Sequence, residues 1–206
     1  MTDRHSPPAP RLAPLPPDAD PSLAPVFAAA VAHLGYVPNS QLIMQRKPAI
    51  LRGFSALYAA VFDPQGEVDR GFKRLLAYVS SRSTGCVYCM AHTAGAALSL
   101  GISEEKFAAV WSFRTSPLYS ARERVALEYA IAVAAVPNAV TDEVHAALRR
   151  HWSEGEIVEI LAVLSLFGFL NRFNDSLATP LEDEPLSVGN RVLAEDGWHP
   201  GKHRSD

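Results

Sequence analysis

Cysteine is nearly absent from this chain, which has two among 206 residues and so no second pair to complete a zinc site of the usual recurring type. An excess of positive charge is missing too. The formal net charge is -3, and no basic stripe exists to neutralise phosphates, which argues against a nucleic-acid partner. There is no long apolar run: the longest, around residues 157–170, is broken by Glu159, Ser165 and Gly168, so no membrane span is expected. The first 25 residues hold eight prolines and no apolar h-region, so they do not read as a signal peptide. The expected compartment is therefore the reducing cytoplasm, where a cysteine pair serves catalysis or metal rather than stapling. Strand alternation bounded by hairpin turns is also lacking, which leaves an all-α fold.

What is present fits one soluble globular domain with tails: 48% apolar and 20% charged residues. Residues 1–21 read as a proline-rich N-terminal arm, 22–185 as a helical domain, and 186–206 as a C-terminal tail with a short helix. The segments before about residue 21 and after about residue 199 are expected to pack little against the core. Apolar residues recur at helical spacing in about eight or nine segments. Pro48 opens one at its first helical position, with Ile50, Leu51, Phe54, Leu57, Tyr58 and Val61 as a stripe. Phe72, Leu75, Leu76 and Val79 mark the next, over residues 68–83, and Ser153 with Glu156 forms a capping box before residues 157–173. The stretches 74–80 and 159–165 echo one another, as a duplicated helical hairpin would.

The informative motif is Cys86-Val87-Tyr88-Cys89 with His92 three residues on. Gly85 permits a tight entry into the helix that begins there. Its first turn offers unpaired N–H groups and the positive end of the helix dipole, both favouring thiolate. Cysteines at i and i+3 can bridge, and His92 shares a face with Cys89, about 300° along the helix, rather than with Cys86. The motif reads as reversible thiol redox chemistry, with Cys89 as nucleophile, Cys86 as resolving thiol and His92 as the base, within hydrogen-bond or one-water reach of the Cys89 sulfur. Three other assignments stay open: Cys86 as the nucleophile because of its dipole position, two inert core cysteines, or a metal site. Tyr88 either donates a hydrogen bond to a sulfur or packs. Asn171 and Arg172 either cap the end of a helix, with Arg172 paired to Asp175, or line the cavity beside the thiols. Trp111, Trp152 and Trp198 read as core or interface anchors.

The segment Thr84-Gly85-Cys86-Val87-Tyr88-Cys89-Met90-Ala91-His92-Thr93-Ala94, behind the helix at residues 75–81, resembles the carboxymuconolactone decarboxylase/alkylhydroperoxidase-D-like superfamily. Residues 37–40, 136–141 and 167–175 are similar to an uncharacterised peroxidase-related branch of it. The resemblance covers about residues 24–182. It implies an all-helical multi-helix bundle, a homo-oligomer, and thiol-dependent peroxidase activity of the peroxiredoxin type. It implies no cofactor beyond a redox-active Cys86–Cys89 disulfide, no metal, a peroxide substrate and an external dithiol reductant, lipoyl- or thioredoxin-like. A disulfide reductase or adaptor, or a non-catalytic helical oligomer, is the alternative. Two positions depart from the family pattern. Its relay histidine falls at Thr93, one residue after His92, and its glutamate falls at Arg74, which cannot act as a base. Glu159, matching Arg74 in the internal echo, is one candidate substitute, the alternative being a solvated surface role.

Overall fold

Asp69 and Gly85 bracket the central helix of the molecule, and each acts through a specific backbone group. The Asp69 carboxylate accepts the Phe72 N–H at 2.8 Å, and Gly85 takes the left-handed conformation (φ +80°) that ends the helix. The computed structural model describes residues 10–204. Among them are ten α-helices and no strand: α1 (Ala24–Leu34), α2 (Asn39–Met44), α3 (Pro48–Val61), α4 (Arg70–Thr84), α5 (Val87–Ser99), α6 (Glu104–Ala108), α7 (Ala121–Ala134), α8 (Asp142–Arg149), α9 (Glu154–Leu177) and α10 (Asp183–Val192). The count exceeds the expected eight or nine because α2 is too short to show a period.

α4 is the hub. It lies against α5, α7 and α9, and α5 in turn carries α10 on its outer side. Eleven residues of α4, from Gly71 to Ser81, are buried in an unbroken run, so the helix is enclosed on every side. That includes Lys73, whose ammonium donates to the Val61 carbonyl at 2.9 Å and meets Glu159 at 2.6 Å. The expected α4–α5 packing is present, with Phe72, Leu75, Leu76, Val79 and Ala94 buried and Leu98 half-buried. No described helix is long and apolar enough to cross a membrane.

The tails differ from expectation. The described part of the N-terminal arm is exposed or half-buried, yet it is fastened by backbone bonds from Arg11 to Leu177 and from Leu15 to Leu42; residues 1–9 lie outside the described residues. The C-terminal segment is not a loose tail. His203 is fully buried, its carbonyl accepts the Leu181 N–H at 2.8 Å, and its Nδ1 lies 2.7 Å from the Thr179 carbonyl. Trp198 seats its indole over Gly189 and donates to the Val87 carbonyl at 3.1 Å. One aromatic ring and one buried histidine outweigh the polar, proline-containing composition that suggested a solvated end.

Candidate active site

Cys86 is the N-cap of α5. Its backbone is extended (φ -80°, ψ 94°), and its sulfur accepts the Cys89 N–H at 3.4 Å. Both cysteines are free thiols and fully enclosed. Cys89 lines a cavity of about 60 Å³ walled by α2, α3, α4, α5 and α9, and Cys86 lies behind it, outside the wall. The cavity is mostly apolar and aromatic, with Tyr36, Phe54, Tyr58, Phe167 and Leu170 around the thiol. Burial pushes the Cys89 thiol well above its ordinary value, the adjacent Cys86 adds to this, and an Asn174 amide donating at 3.6 Å opposes it. The resting sulfur is therefore protonated.

His92 lies on the same cavity wall, but neither ring nitrogen is hydrogen-bonded to Cys89. Nδ1 is 2.9 Å from the Tyr88 carbonyl, and Nε2 is 2.9 Å from Glu182 Oε2, an ion-pair contact outside in-line hydrogen-bond geometry. The expected direct bond to the sulfur is absent because Glu182 holds the ring the other way. Glu182 occupies the N-cap position of α10 without a side-chain capping bond and is half-buried. It also accepts the Tyr88 hydroxyl at 2.9 Å and the Asn39 backbone N–H. Burial works to neutralise both groups, but the Glu182 charge outweighs it and raises the His92 pKa, while His92 holds the Glu182 carboxyl below its ordinary range. The pairing favours imidazolium with carboxylate, and the Tyr88 ring is stacked on the imidazole at 4.1 Å.

The other candidates separate. Tyr88 is buried and lines the cavity, but its hydroxyl goes to Glu182 rather than to a sulfur. Arg74 points into the cavity. Glu159 does not; it pairs with Lys73 and accepts the Glu67 and Val68 N–H groups at 2.9 and 3.1 Å, so it is no substitute for the missing glutamate. Asn171 and Arg172 face a different cavity, with Ser83, Thr84 and Asp175. Nor do they cap a helix end, since α9 runs on to Leu177. Arg172 donates to the Gly168 carbonyl, and Asp175 is held by Lys202 at 2.9 Å. Among the described residues no group of three or more His, Cys, Asp or Glu is arranged to hold a metal ion.

Two residues escaped the sequence reading, Asn174 and Glu182. Asn174 sits in the polar cluster that ends α9, one turn from Asn171, and helical phase alone does not say which of the two faces the thiol. Glu182 lies in the acidic run 182–184, which reads as an ordinary first turn of a helix.

The fold agrees with the comparisons. The chain belongs to the carboxymuconolactone decarboxylase family, whose model matches residues 48–132. A variant of the debrominase Bmp8 in complex with 2,3,4-tribromopyrrole is 30% identical, covers 88% of this chain and 96% of its own, and superposes with a TM-score of 0.82. A peroxidase-related protein from Silicibacter sp. TM1040 has the same fold at 24% identity and a TM-score of 0.70, over 89% of this chain and 96% of its own. YnjA of Escherichia coli (strain K12) is 33% identical over 47% of this chain; the match spans 53% of the YnjA length.

Proposed function

We propose that the chain is a thiol-dependent oxidoreductase that reduces peroxides through Cys89 and Cys86. The observation that carries this reading is the layering of the site. Cys89 is on the cavity wall, Cys86 is in contact behind it, and the His92–Glu182 pair stands on the same wall. A raised thiol pKa suits a site that ionises its sulfur only as substrate arrives. The Cys89 proton passes to His92 in its neutral form, Glu182 stabilising the imidazolium that results, and the thiolate attacks the terminal peroxide oxygen. The O–O bond breaks, the pair returns the proton to the departing alkoxide or hydroxide, and Cys89 becomes sulfenic acid. Cys86 then attacks the Cys89 sulfur, and hydroxide leaves with the Cys86 proton as water. An external dithiol of lipoyl or thioredoxin type restores both thiols by exchange. Assembly as a homo-oligomer belongs to the same proposal, supported by the exposed Ile50 and Leu57 of α3 and Val158, Leu161 and Phe169 of α9.

Thiol titration tests this directly. One equivalent of cumene hydroperoxide is expected to consume both thiols in the wild type. In Cys86→Ser it should leave a sulfenic acid that dimedone traps, and in Cys89→Ser it should consume nothing. A wild type that keeps both thiols refutes the reading. The likeness to the debrominase favours one second reading, reductive dehalogenation at the same thiols. There the Cys89 thiolate takes the halogen from a ring carbon, the carbon takes the proton from the His92–Glu182 pair, and Cys86 displaces halide to leave the same disulfide. Bromide release from 2,3,4-tribromopyrrole with dithiothreitol separates the two.

A further inference from the structure

Two cations are fully buried in the described protein, and only one of them has a carboxylate. Lys73 meets Glu159 at 2.6 Å. Arg74, 3% exposed, has no carboxylate within 4.0 Å among the described residues. What compensates its charge is weak. One Nη donates to the Tyr58 hydroxyl at 2.5 Å, and the guanidinium lies 3.6 Å from the Phe62 ring centroid and 5.2 Å from that of Tyr58. Its Nε is buried with no hydrogen-bond partner. A buried charge is costly unless paired, so this arginine is built for an anion that arrives from outside.

The surroundings repeat the pattern. An outer cavity of about 300 Å³ adjoins the thiol cavity and shares Leu34, Gln41, Phe54 and Tyr58 with it. Arg70, one turn before Arg74 on α4, lines that outer cavity, and its Nε is likewise buried and unpartnered. Its other contact is His33 Nε2 at 3.3 Å. The imidazole is held below its ordinary value, first by partial burial and then by the Arg74 and Arg70 charges, so it adds no further cation there. On the opposite wall the His92–Glu182 pair cancels itself. The net charge facing the two cavities is positive, within largely apolar walls.

We infer that the organic substrate is an amphipathic anion: an apolar, ring-sized body that fills the outer cavity, with one acidic group such as a carboxylate held by Arg74 where the two cavities meet. The reacting end then reaches Cys89 across the small inner cavity, which Arg74 and Cys89 both line. A guanidinium gives a carboxylate two parallel N–H donors in a water-poor site, which a neutral analogue cannot use. This inference rests on the thiol-enzyme reading for the word substrate, but its test does not.

The test is binding without turnover. Calorimetric titration of the reduced wild-type protein compares 4-isopropylbenzoate with the neutral 4-isopropylbenzamide, neither of which carries a peroxide. The acid is expected to bind about tenfold more tightly or better, the margin of a charge-assisted hydrogen bond over a neutral one. Arg74→Met is expected to bring the ratio below about twofold, and Arg74→Lys to keep part of it. Equal affinities in the wild type, no binding of either compound, or a preference that survives in folded Arg74→Met each overturns the inference. If Arg74→Met does not fold, the wild-type ratio and the Arg74→Lys ratio decide, and an Arg74→Lys ratio equal to wild type counts against it. A carboxylate preference without peroxide-dependent thiol loss sinks the proposed activity alone, and the converse result sinks only this inference.

Discussion

Replacing Glu182 by glutamine keeps the shape of the side chain and removes its charge, so it isolates the ion pair with His92. In the native protein two influences oppose each other on that imidazole. Burial lowers its pKa, and the Glu182 charge, with the Tyr88 carbonyl, raises it further than burial lowers it. In Glu182→Gln burial acts against only the Tyr88 carbonyl and the Glu184 charge, and His92 is expected to titrate below the ordinary 6.5 rather than above it. Each unit of that displacement is worth about 1.4 kcal/mol of stability. The loss is expected to reach about 2–4 kcal/mol at pH 6, because breaking a pair this enclosed leaves an uncompensated charge and weakens the bonds from Tyr88 and Asn39. The sign sets the window. The raised His92 pKa stabilises the fold fully below the unfolded value of 6.5, and this is lost as pH rises through the folded value. The lowered Glu182 pKa stabilises above 4.5 and is lost as pH falls through its folded value. The wild-type advantage should therefore be greatest between about pH 4.5 and 6.5 and shrink on both sides. Histidine Cε1–H NMR titration reads the pKa, and urea unfolding at a series of pH values reads the stability. A wild-type His92 that titrates below 6.5, or a stability difference that is flat from pH 4 to 9, would refute the reasoning.

Three further outcomes are expected. Asn174→Leu removes the amide that opposes the rise in the Cys89 pKa, and should slow iodoacetamide alkylation of Cys89 about three- to tenfold at pH 8 while leaving the far-ultraviolet circular dichroism unchanged; an unaltered rate removes Asn174 from the site. Glu159→Gln leaves Lys73 buried without a counter-charge, and should cost about 3 kcal/mol in urea unfolding yet leave Cys89 alkylation at the wild-type rate, since Glu159 lies outside the thiol cavity. At the C-terminal seat, Gly189→Ala places a methyl 2.4 Å from Trp198, and Trp198→Ala empties the same seat. Each should destabilise by about 2–4 kcal/mol in the same assay, and losses under about 0.5 kcal/mol would show that the segment is only loosely applied.

Most of the helical local structure was legible in the sequence. Helical period gave α4, read from residue 68 although Asp69 caps it, while Gly85 and Ser153 marked the starts of α5 and α9, because each acts on the backbone close to itself. The placing of Cys86 at a helix N-terminus and Cys89 one turn on follows from the same short-range rules. Tertiary structure decided where each side chain's partner comes from. Glu182 reaches Tyr88 across 94 positions and Asn174 reaches Cys89 across 85, and no periodicity encodes such a separation. That is why His92, on the right face of α5 by spacing, is nevertheless turned toward a carboxylate that arrives from the start of α10. Arg74 and Glu159 occupy matching positions in the sequence echo, yet one faces the thiol cavity without a carboxylate and the other neutralises Lys73. Helix phase fixes which way a side chain leaves its own axis; what it meets there depends on the neighbouring helices.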